Sequence, residues 1–275
     1  MKKMKLLLAS ISLTLLMVSS AFAHFQMLYT PESAMKQGGT IPLRIVFNHP
    51  FEDEHTMNMG KQHDTDALSP VEAFYVVSRE QKTDLLGSLK QISFKGNTNV
   101  GVAYAADYAA RRMGDHLFVL QPAPYFETTE DAYIQQITKM VVNVAGLPTD
   151  WNSVLGLKAE IVPLTPPYAV WAGSTFSGIV MSEGEPVPFA ELEIEYLNHE
   201  VDVETNSMGP SKVEAPQDSF VTLSLIADAN GVFTFGLPKA GWWGFAAMGI
   251  GPDDEYKGKE LSQDAVIWVQ AKEMR

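Results

Sequence analysis

Side chains that could bind a transition metal are concentrated near the start of the chain. Four of the six histidines lie between residues 24 and 63, and a Met-x-Met pair lies among them. Imidazole nitrogens suit nickel, cobalt, copper and zinc, whereas thioether sulfurs suit softer ions. The sequence contains no cysteine, which excludes thiolate metal sites, cysteine nucleophiles and disulfides. The candidate metal ligands are His24, His49, His55, Met57, Met59 and His116.

The histidine at position 24 offers more chemistry if it is the first residue of the mature protein. Three lysines, an apolar run and the step Ala21-Phe22-Ala23 form the pattern of a secretory signal peptide. We therefore expect residues 1–23 to be removed and the mature protein to be periplasmic. A membrane anchor is the alternative, but the apolar run is short for a membrane span. The free α-amine and Nδ1 of His24 would then close a six-membered chelate, which favours Cu²⁺ or Ni²⁺.

The other candidates lie where predicted strands end or begin. His49 closes the first long strand, and we expect it to share one metal ion with His24. His116 opens a later strand and is predicted to be the next nitrogen ligand, although a hydrogen-bonded structural role is equally compatible with the sequence. Glu127 is a weaker oxygen candidate, and His199, in the other half of the chain, is expected at the surface.

Residues 48–64 are predicted to form a polar loop that leaves the first long strand. The segment contains three histidines, several acids and the Met-x-Met pair, and it has little apolar periodicity. Such a loop offers the methionines little core to fill, which favours metal binding by their sulfurs. A solvated acidic loop in which His63 and its neighbours merely cluster is the alternative.

Most of the mature chain has the composition and alternation of β-strands. The segments TIPLRIVF, VEAFYVVS and GLKAEIVPL are rich in β-branched and aromatic residues. FAELEIEY alternates strictly, which predicts that Glu191, Glu193 and Glu195 share a solvent-exposed face. The aromatic run at residues 242–245 is predicted to be core. Residues 201–218 are predicted to be a polar loop, and the segment starting at residue 130 fits either a helical turn or a strand.

A cluster of prolines predicts a boundary between two domains. Pro163, Pro166 and Pro167 fall within five residues, and proline cannot occupy a central strand. We therefore predict an all-β protein of two β-sandwich domains, a metal-binding one at residues 24–163 and a second at residues 168–275.

The charge balance and the missing motifs exclude several functions. Removing the lysines of residues 1–23 lowers the formal net charge from −13 to −16, because that segment contains three lysines and no acid. A chain of this charge is repelled by nucleic acid and by anionic lipid, so neither is an expected partner. The sequence contains no Gly-x-Ser-x-Gly, no His-Glu-x-x-His and no phosphate loop. We therefore expect a binding protein rather than an enzyme.

Several motifs resemble one known family over essentially the whole mature chain. They include HPFEDEHTMNMGK, GDHLFVLQPAPYFE, PYAVWAG and DANGVFTFGLPKAGWWGFAA. The sequence is similar to a bacterial periplasmic domain family of unknown function that is associated with nickel and cobalt uptake. The resemblance implies a protein that binds Ni²⁺ or Co²⁺ as cargo and hands it to a membrane transporter. It also implies a transthyretin-like, or carboxypeptidase-regulatory-like, fold for the second half. The family pattern matches at His24, His49, His55, Met57, Met59 and His116.

Two other functions fit the same sequence features. Periplasmic copper carriers also combine an N-terminal histidine with a β-sandwich and methionine-rich loops, so Cu²⁺ is the alternative cargo. Copper-dependent polysaccharide monooxygenases share the amine-plus-imidazole chelate, but the sequence predicts no flat aromatic face near His24. A metal-free extracellular module that binds carbohydrate or protein is the remaining alternative, and metal analysis of the native protein would distinguish it.

Overall fold

The computed structural model describes residues 24–52 and 56–274, so the predicted signal peptide and His55 lie outside it. Strands dominate these residues, as predicted, and the helices among them are two short 3-10 turns, Leu86–Ser88 and Asp218–Phe220. No helix within these ranges is long and apolar enough to span a membrane.

The strands of the first half are β1 (Phe25–Tyr29), β2 (Ala34–Met35), β3 (Gly39–Asn48), β4 (Thr56–Met57), β5 (Lys61–Gln62), β6 (Thr65–Leu68), β7 (Ala73–Ser78), β8 (Gln81–Asp84), β9 (Lys90–Lys95), β10 (Val100–Ala110), β11 (Gly114–Gln121), β12 (Tyr125–Glu127), β13 (Ala132–Val144) and β14 (Glu160–Pro163). Those of the second half are β15 (Val170–Trp171), β16 (Thr175–Ser182), β17 (Glu185–Pro186), β18 (Glu191–Tyr196), β19 (His199–Asp202), β20 (Ser207–Ser211), β21 (Leu223–Ile226), β22 (Val232–Gly236), β23 (Gly241–Ala247), β24 (Glu255–Tyr256) and β25 (Lys259–Lys272). The ambiguous segment after residue 130 is therefore the strand β13.

One large sheet runs across the predicted domain boundary. The 12-stranded sheet has the order β21-β18-β23-β25-β13-β11-β7-β8, and its central β13–β25 pair is a parallel ladder between the two halves of the chain. A 7-stranded sheet, β1-β3-β10-β9-β20-β19 with β4 beside β3, packs on one face. A 4-stranded sheet of β14, β16, β17 and β22 covers the other face. The all-β prediction is confirmed, whereas the boundary at residues 163–168 stays a prediction.

Alternate residues of the shared sheet supply two separate hydrophobic cores. On β23, Trp242 and Ala246 belong to the core that lies under the 7-stranded sheet. Their neighbours Trp243 and Phe245 belong to the core that lies under the 4-stranded sheet. Successive side chains of a strand point to opposite faces, so a sheet covered on both sides buries all of them. The prediction that the aromatic run is core is confirmed.

The polar stretch after residue 200 is partly a hairpin rather than a loop. Strands β19 and β20 pair with each other, and β20 extends the 7-stranded sheet beside β9. Val201 and Met208 are buried in the first core. These two apolar side chains attach the hairpin to the first half, so the loop prediction is wrong for residues 201–211.

The face of β18 that was predicted to be solvent-exposed is buried at one end. Glu191 is exposed, but Glu195 is only 1% exposed. The Glu195 carboxyl accepts hydrogen bonds from the Phe51 backbone N–H at 3.2 Å and from Thr222 Oγ1 at 2.5 Å. Burial raises the pKa of Glu195 to about 8. The alternation of FAELEIEY indicated which residues share a face, but not that the first half of the chain covers that face.

Candidate functional site

Strand register places His24 beside His49. Strands β1 and β3 are antiparallel with Phe25 opposite Asn48, so the residues just outside this pair lie across from each other. The two imidazole centroids are 4.6 Å apart, and the rings meet edge to face. Phe47 and Tyr125 flank the His24 ring at 5.6 and 6.4 Å between centroids. The structure therefore brings these two candidate ligands together, and their binding to a metal stays a prediction.

The carboxylate of Glu127 fixes which nitrogen of His24 carries a proton. His24 Nε2 lies 3.2 Å from Glu127 Oε2. The hydrogen bond from His24 lowers the pKa of Glu127 to about 2, and Thr129 also donates to the same carboxylate. An ionised carboxylate can only accept, so Nε2 must donate. In the neutral imidazole, Nδ1 is then left with its lone pair, and Nδ1 is the nitrogen that can chelate together with the α-amine.

The amide of Gln136 holds the backbone on both sides of Phe25. Its Nε2 donates to the His24 carbonyl at 2.7 Å, and its Oε1 accepts from the Gln26 backbone N–H at 2.6 Å. The same Nε2 lies 3.3 Å from Asp264 Oδ2. Gln136 is only 2% exposed, so water competes little for these bonds. Nothing in the sequence pattern singled out a glutamine in the middle of β13 as the residue that positions His24.

Further carboxyl groups lie near the same end of the sandwich. Burial and then the neighbouring Asp264 raise the pKa of Glu193 to about 7, and the proximity of His24 opposes this shift. Burial also raises the pKa of Asp264. A raised pKa favours the neutral form, so the negative charge beside His24 that favours a cation comes from Glu127, whose pKa is lowered.

Both methionines of the Met-x-Met pair are core residues. Met57 lies in β4, opposite Phe47 of β3, and is 3% exposed. Met59 is also 3% exposed, and its sulfur accepts a hydrogen bond from Gln26 Nε2 at 3.7 Å. The expectation that this segment offers the methionines little core to fill is wrong, because the chain folds back onto β3 and covers it. The role of Met57 and Met59 as metal ligands stays a prediction. Core packing by itself already explains why methionine occurs at both positions.

Truncating a core methionine should cost much more stability than truncating an exposed one. We expect Met59→Ala to lower the free energy of unfolding of the metal-free protein by about 2 to 5 kcal/mol, because the change removes buried apolar volume. Met113, which is 57% exposed, is the matched control, and Met113→Ala should have little effect. Urea unfolding measures both, and equal losses would show that Met59 is not packed in the core.

The structure does not bring His116 to His24. His116 pairs with Val142 of β13, six residues along the strand from Gln136, which corresponds to a separation of about 20 Å. Its Nε2 lies 3.0 Å from the Arg112 carbonyl, and its Nδ1 lies 3.3 Å from the Tyr108 hydroxyl. Burial lowers the pKa of His116. Of the two roles that the sequence left open, this geometry fits the hydrogen-bonded structural one.

The remaining histidines that the structure describes are also separate from His24. His63 bonds to Asp64 at 2.8 Å and packs edge-on against Phe126, whose side chain points away from that of Glu127 on β12. His199 is 1% exposed, so its predicted surface position is wrong. Its ring lies between the carbonyls of Gly209 and Phe51, at 2.9 and 3.1 Å.

No group of three or more histidine, aspartate or glutamate side chains within residues 24–52 and 56–274 is arranged to hold a metal ion. The arrangement around His24 is instead a pair of imidazoles with one carboxylate on the outer nitrogen of the first. This pair can contribute two side-chain nitrogens to a cation. Among the residues that the structure describes, no third histidine lies in this group, so a third nitrogen from them has to come from the backbone.

Comparison with known proteins gives the family of the chain, and the fold class follows from its own strands. The structure is that of an all-β protein built from packed sheets. A family model described as "Domain of unknown function (DUF4198)" matches residues 21–251, and the chain belongs to this family. No curated protein matches the sequence.

The solved structures that match this chain are only distantly similar to it. The D0-D1 domain of intimin is 11% identical, with a TM-score of 0.22 over 90% of this chain and 100% of that one. The adhesin InvE of Yersinia pseudotuberculosis is 12% identical, with a TM-score of 0.23 over 90% of this chain and 59% of that one. An Escherichia coli alpha-2-macroglobulin is 10% identical, with a TM-score of 0.21 over 91% of this chain and 20% of that one. None of these likenesses carries an argument about function.

Proposed function

We propose that the protein is a periplasmic binding protein that takes up Ni²⁺ or Co²⁺ as cargo and supplies it to a membrane uptake transporter. The observation that carries the proposal is the pair of His24 and His49, with Glu127 bonded to the outer nitrogen of His24. The motifs that resemble the nickel- and cobalt-associated family support the choice of metal and partner. The signal-peptide pattern at residues 1–23 supports the location.

The proposed donor set consists of three nitrogens. Once residues 1–23 are removed, His24 contributes its α-amine and Nδ1, and His49 contributes its imidazole. Only two side chains supply nitrogens to this set. It therefore does not require a metal-binding group of three side chains, and the described residues contain none. Metal-binding histidines usually donate their second ring N–H to a carboxylate, which orients the ring and increases its basicity. Glu127 has this relation to His24, so we assign it the role of an orienting partner.

Copper is the alternative cargo for the same donor set. An amine with two imidazoles suits the tetragonal geometry of Cu²⁺ as well as that of Ni²⁺, and the Irving–Williams order places Cu²⁺ highest in affinity. The buried methionines do not add exposed thioether donors, which would have favoured a carrier of softer copper ions. Cobalt, nickel and copper therefore have to be compared directly.

Removing the second imidazole should weaken metal binding far more than removing a histidine elsewhere. We expect His49→Ala to lower the affinity for Ni²⁺ and Co²⁺ at least about tenfold, since even the loss of an outer partner of a ligand commonly costs 10- to 100-fold. His63→Ala is the control, because His63 packs against Phe126 rather than beside His24. Titration calorimetry on the mature protein measures both. Equal affinities for the two variants would contradict the proposal.

A further inference from the structure

A polar pocket, separate from the His24 site, opens at the end of the sandwich that is remote from His24. It lies between the end of β10, the start of β11 and the β7–β8 hairpin, and its volume is about 230 Å³. Arg111 and Arg112 lie at its exposed rim, whereas Ser78 and His116 lie in its buried floor. The pocket shares no lining residue with the His24 site.

The groups that line this pocket are mainly hydrogen-bond donors. Arg112 Nη1 donates to Gln81 Oε1 at 2.8 Å, which holds the guanidinium across the pocket mouth and leaves its other N–H groups for a ligand. His116 accepts from the Tyr108 hydroxyl and donates to the Arg112 carbonyl when Nε2 carries its proton. These bonds fix the backbone from which the Arg112 side chain extends.

The Ser78 hydroxyl is the clearest sign that the pocket takes a ligand. Ser78 is 7% exposed, and its Oγ has no hydrogen-bond partner within the described part of the chain. Buried hydroxyls without a partner are uncommon, because they lose their hydrogen bonds to water and gain nothing in return. An acceptor bound in the pocket would satisfy this group.

The charged residues of the lining indicate that the ligand is negatively charged. The chain carries 33 acidic and 20 basic residues, yet the described residues that line this pocket include two arginines and no aspartate or glutamate. The carboxylates of Asp115 and Asp150 act on His116 but are not part of the lining, so the two guanidinium groups make the potential inside the pocket positive. That potential attracts anions and repels the divalent cation proposed for the other end.

We propose that this pocket binds a small oxyanion, namely the carboxylate or phosphate group of a small molecule. Guanidinium groups match the geometry of both anions through paired N–H donors, and the Ser78 hydroxyl donates from the floor. A cavity of about 230 Å³ accommodates a compact anion rather than a large cofactor. The site is independent of the proposed metal function.

The test uses metal-free mature protein and two probes, inorganic phosphate and succinate, titrated at low ionic strength. We expect saturable binding of at least one probe, and the tighter probe identifies the anion class. Arg112→Gln should weaken that binding at least about tenfold, because it removes a charge-assisted donor. Ser78→Ala should weaken it several-fold without lowering the melting temperature, because the hydroxyl has no partner to lose within the described residues.

Lys82→Gln is the matched control for charge. Lys82 lies on the same hairpin as Gln81, but its ammonium group packs over the Tyr75 ring at 3.7 Å and is not part of the pocket lining. Its loss should leave anion binding nearly unchanged. The proposal is overturned if neither probe binds saturably, or if Arg112→Gln and Lys82→Gln reduce binding equally, which would indicate only a general effect of net charge.

Discussion

Glu195→Gln should stabilise the protein by a few kcal/mol at pH 8 and have little effect at pH 4.5. Burial raises the pKa of Glu195 from 4.5 to about 8, and each pKa unit corresponds to about 1.4 kcal/mol. Between these two pH values the folded protein keeps a proton that the unfolded chain releases. The free energy of unfolding therefore falls as the pH rises through this window. Glutamine has the same shape and remains neutral, so the variant should lose this part of the pH dependence.

The neutral amide can also satisfy the partners of the carboxyl group. Its oxygen can accept from the Phe51 N–H, and its nitrogen can donate to the Thr222 hydroxyl. Glu191→Gln, at the exposed end of the same strand, is the control and should leave the pH dependence close to that of the native protein. Urea unfolding at pH 4.5, 6.5 and 8 measures all three proteins. If Glu195→Gln lowers stability at pH 8, Glu195 is ionised there and is held by a charge partner.

This buried glutamate shows what a strand pattern can and cannot predict. The alternation of residues 189–196 correctly indicated a strand with apolar residues on one face. It did not show that Phe51 and the rest of the first half would cover the polar face, because coverage depends on tertiary packing. The same limit explains Met57 and Met59, whose polar neighbours suggested a loop although the segment folds back onto β3.

The neighbourhood of His24 was partly predictable because it depends on chain direction. A residue at the start of one strand and a residue at the end of the next lie together when the two strands are antiparallel and adjacent, which is the relation of His24 to His49. Gln136 was not predictable, since its role depends on β13 lying under β1. His116 lies near the start of β11, but the sequence could not indicate that this start lies far from His24.

Adding a single residue before His24 should abolish most of the metal affinity while leaving the fold unchanged. The extension keeps both imidazoles, Glu127 and Gln136, but it converts the α-amine into an amide that Ni²⁺ and Co²⁺ do not bind near neutral pH. We expect a loss of at least about a hundredfold for Ni²⁺ and Co²⁺, because a second donor on the same residue binds at a high effective concentration. The same residue added after Arg275 provides a control of equal mass.

The most direct test of the metal site is titration calorimetry of Ni²⁺ into these three forms of the mature protein. Intact mass first has to show that the native form starts at His24, and equal melting temperatures have to show that the metal-free forms are folded alike. Our account predicts tight binding of one ion to the native form and to the C-terminally extended form, and weak binding to the N-terminally extended form. Equally tight binding to all three would contradict it, because the α-amine of His24 would then not be a ligand.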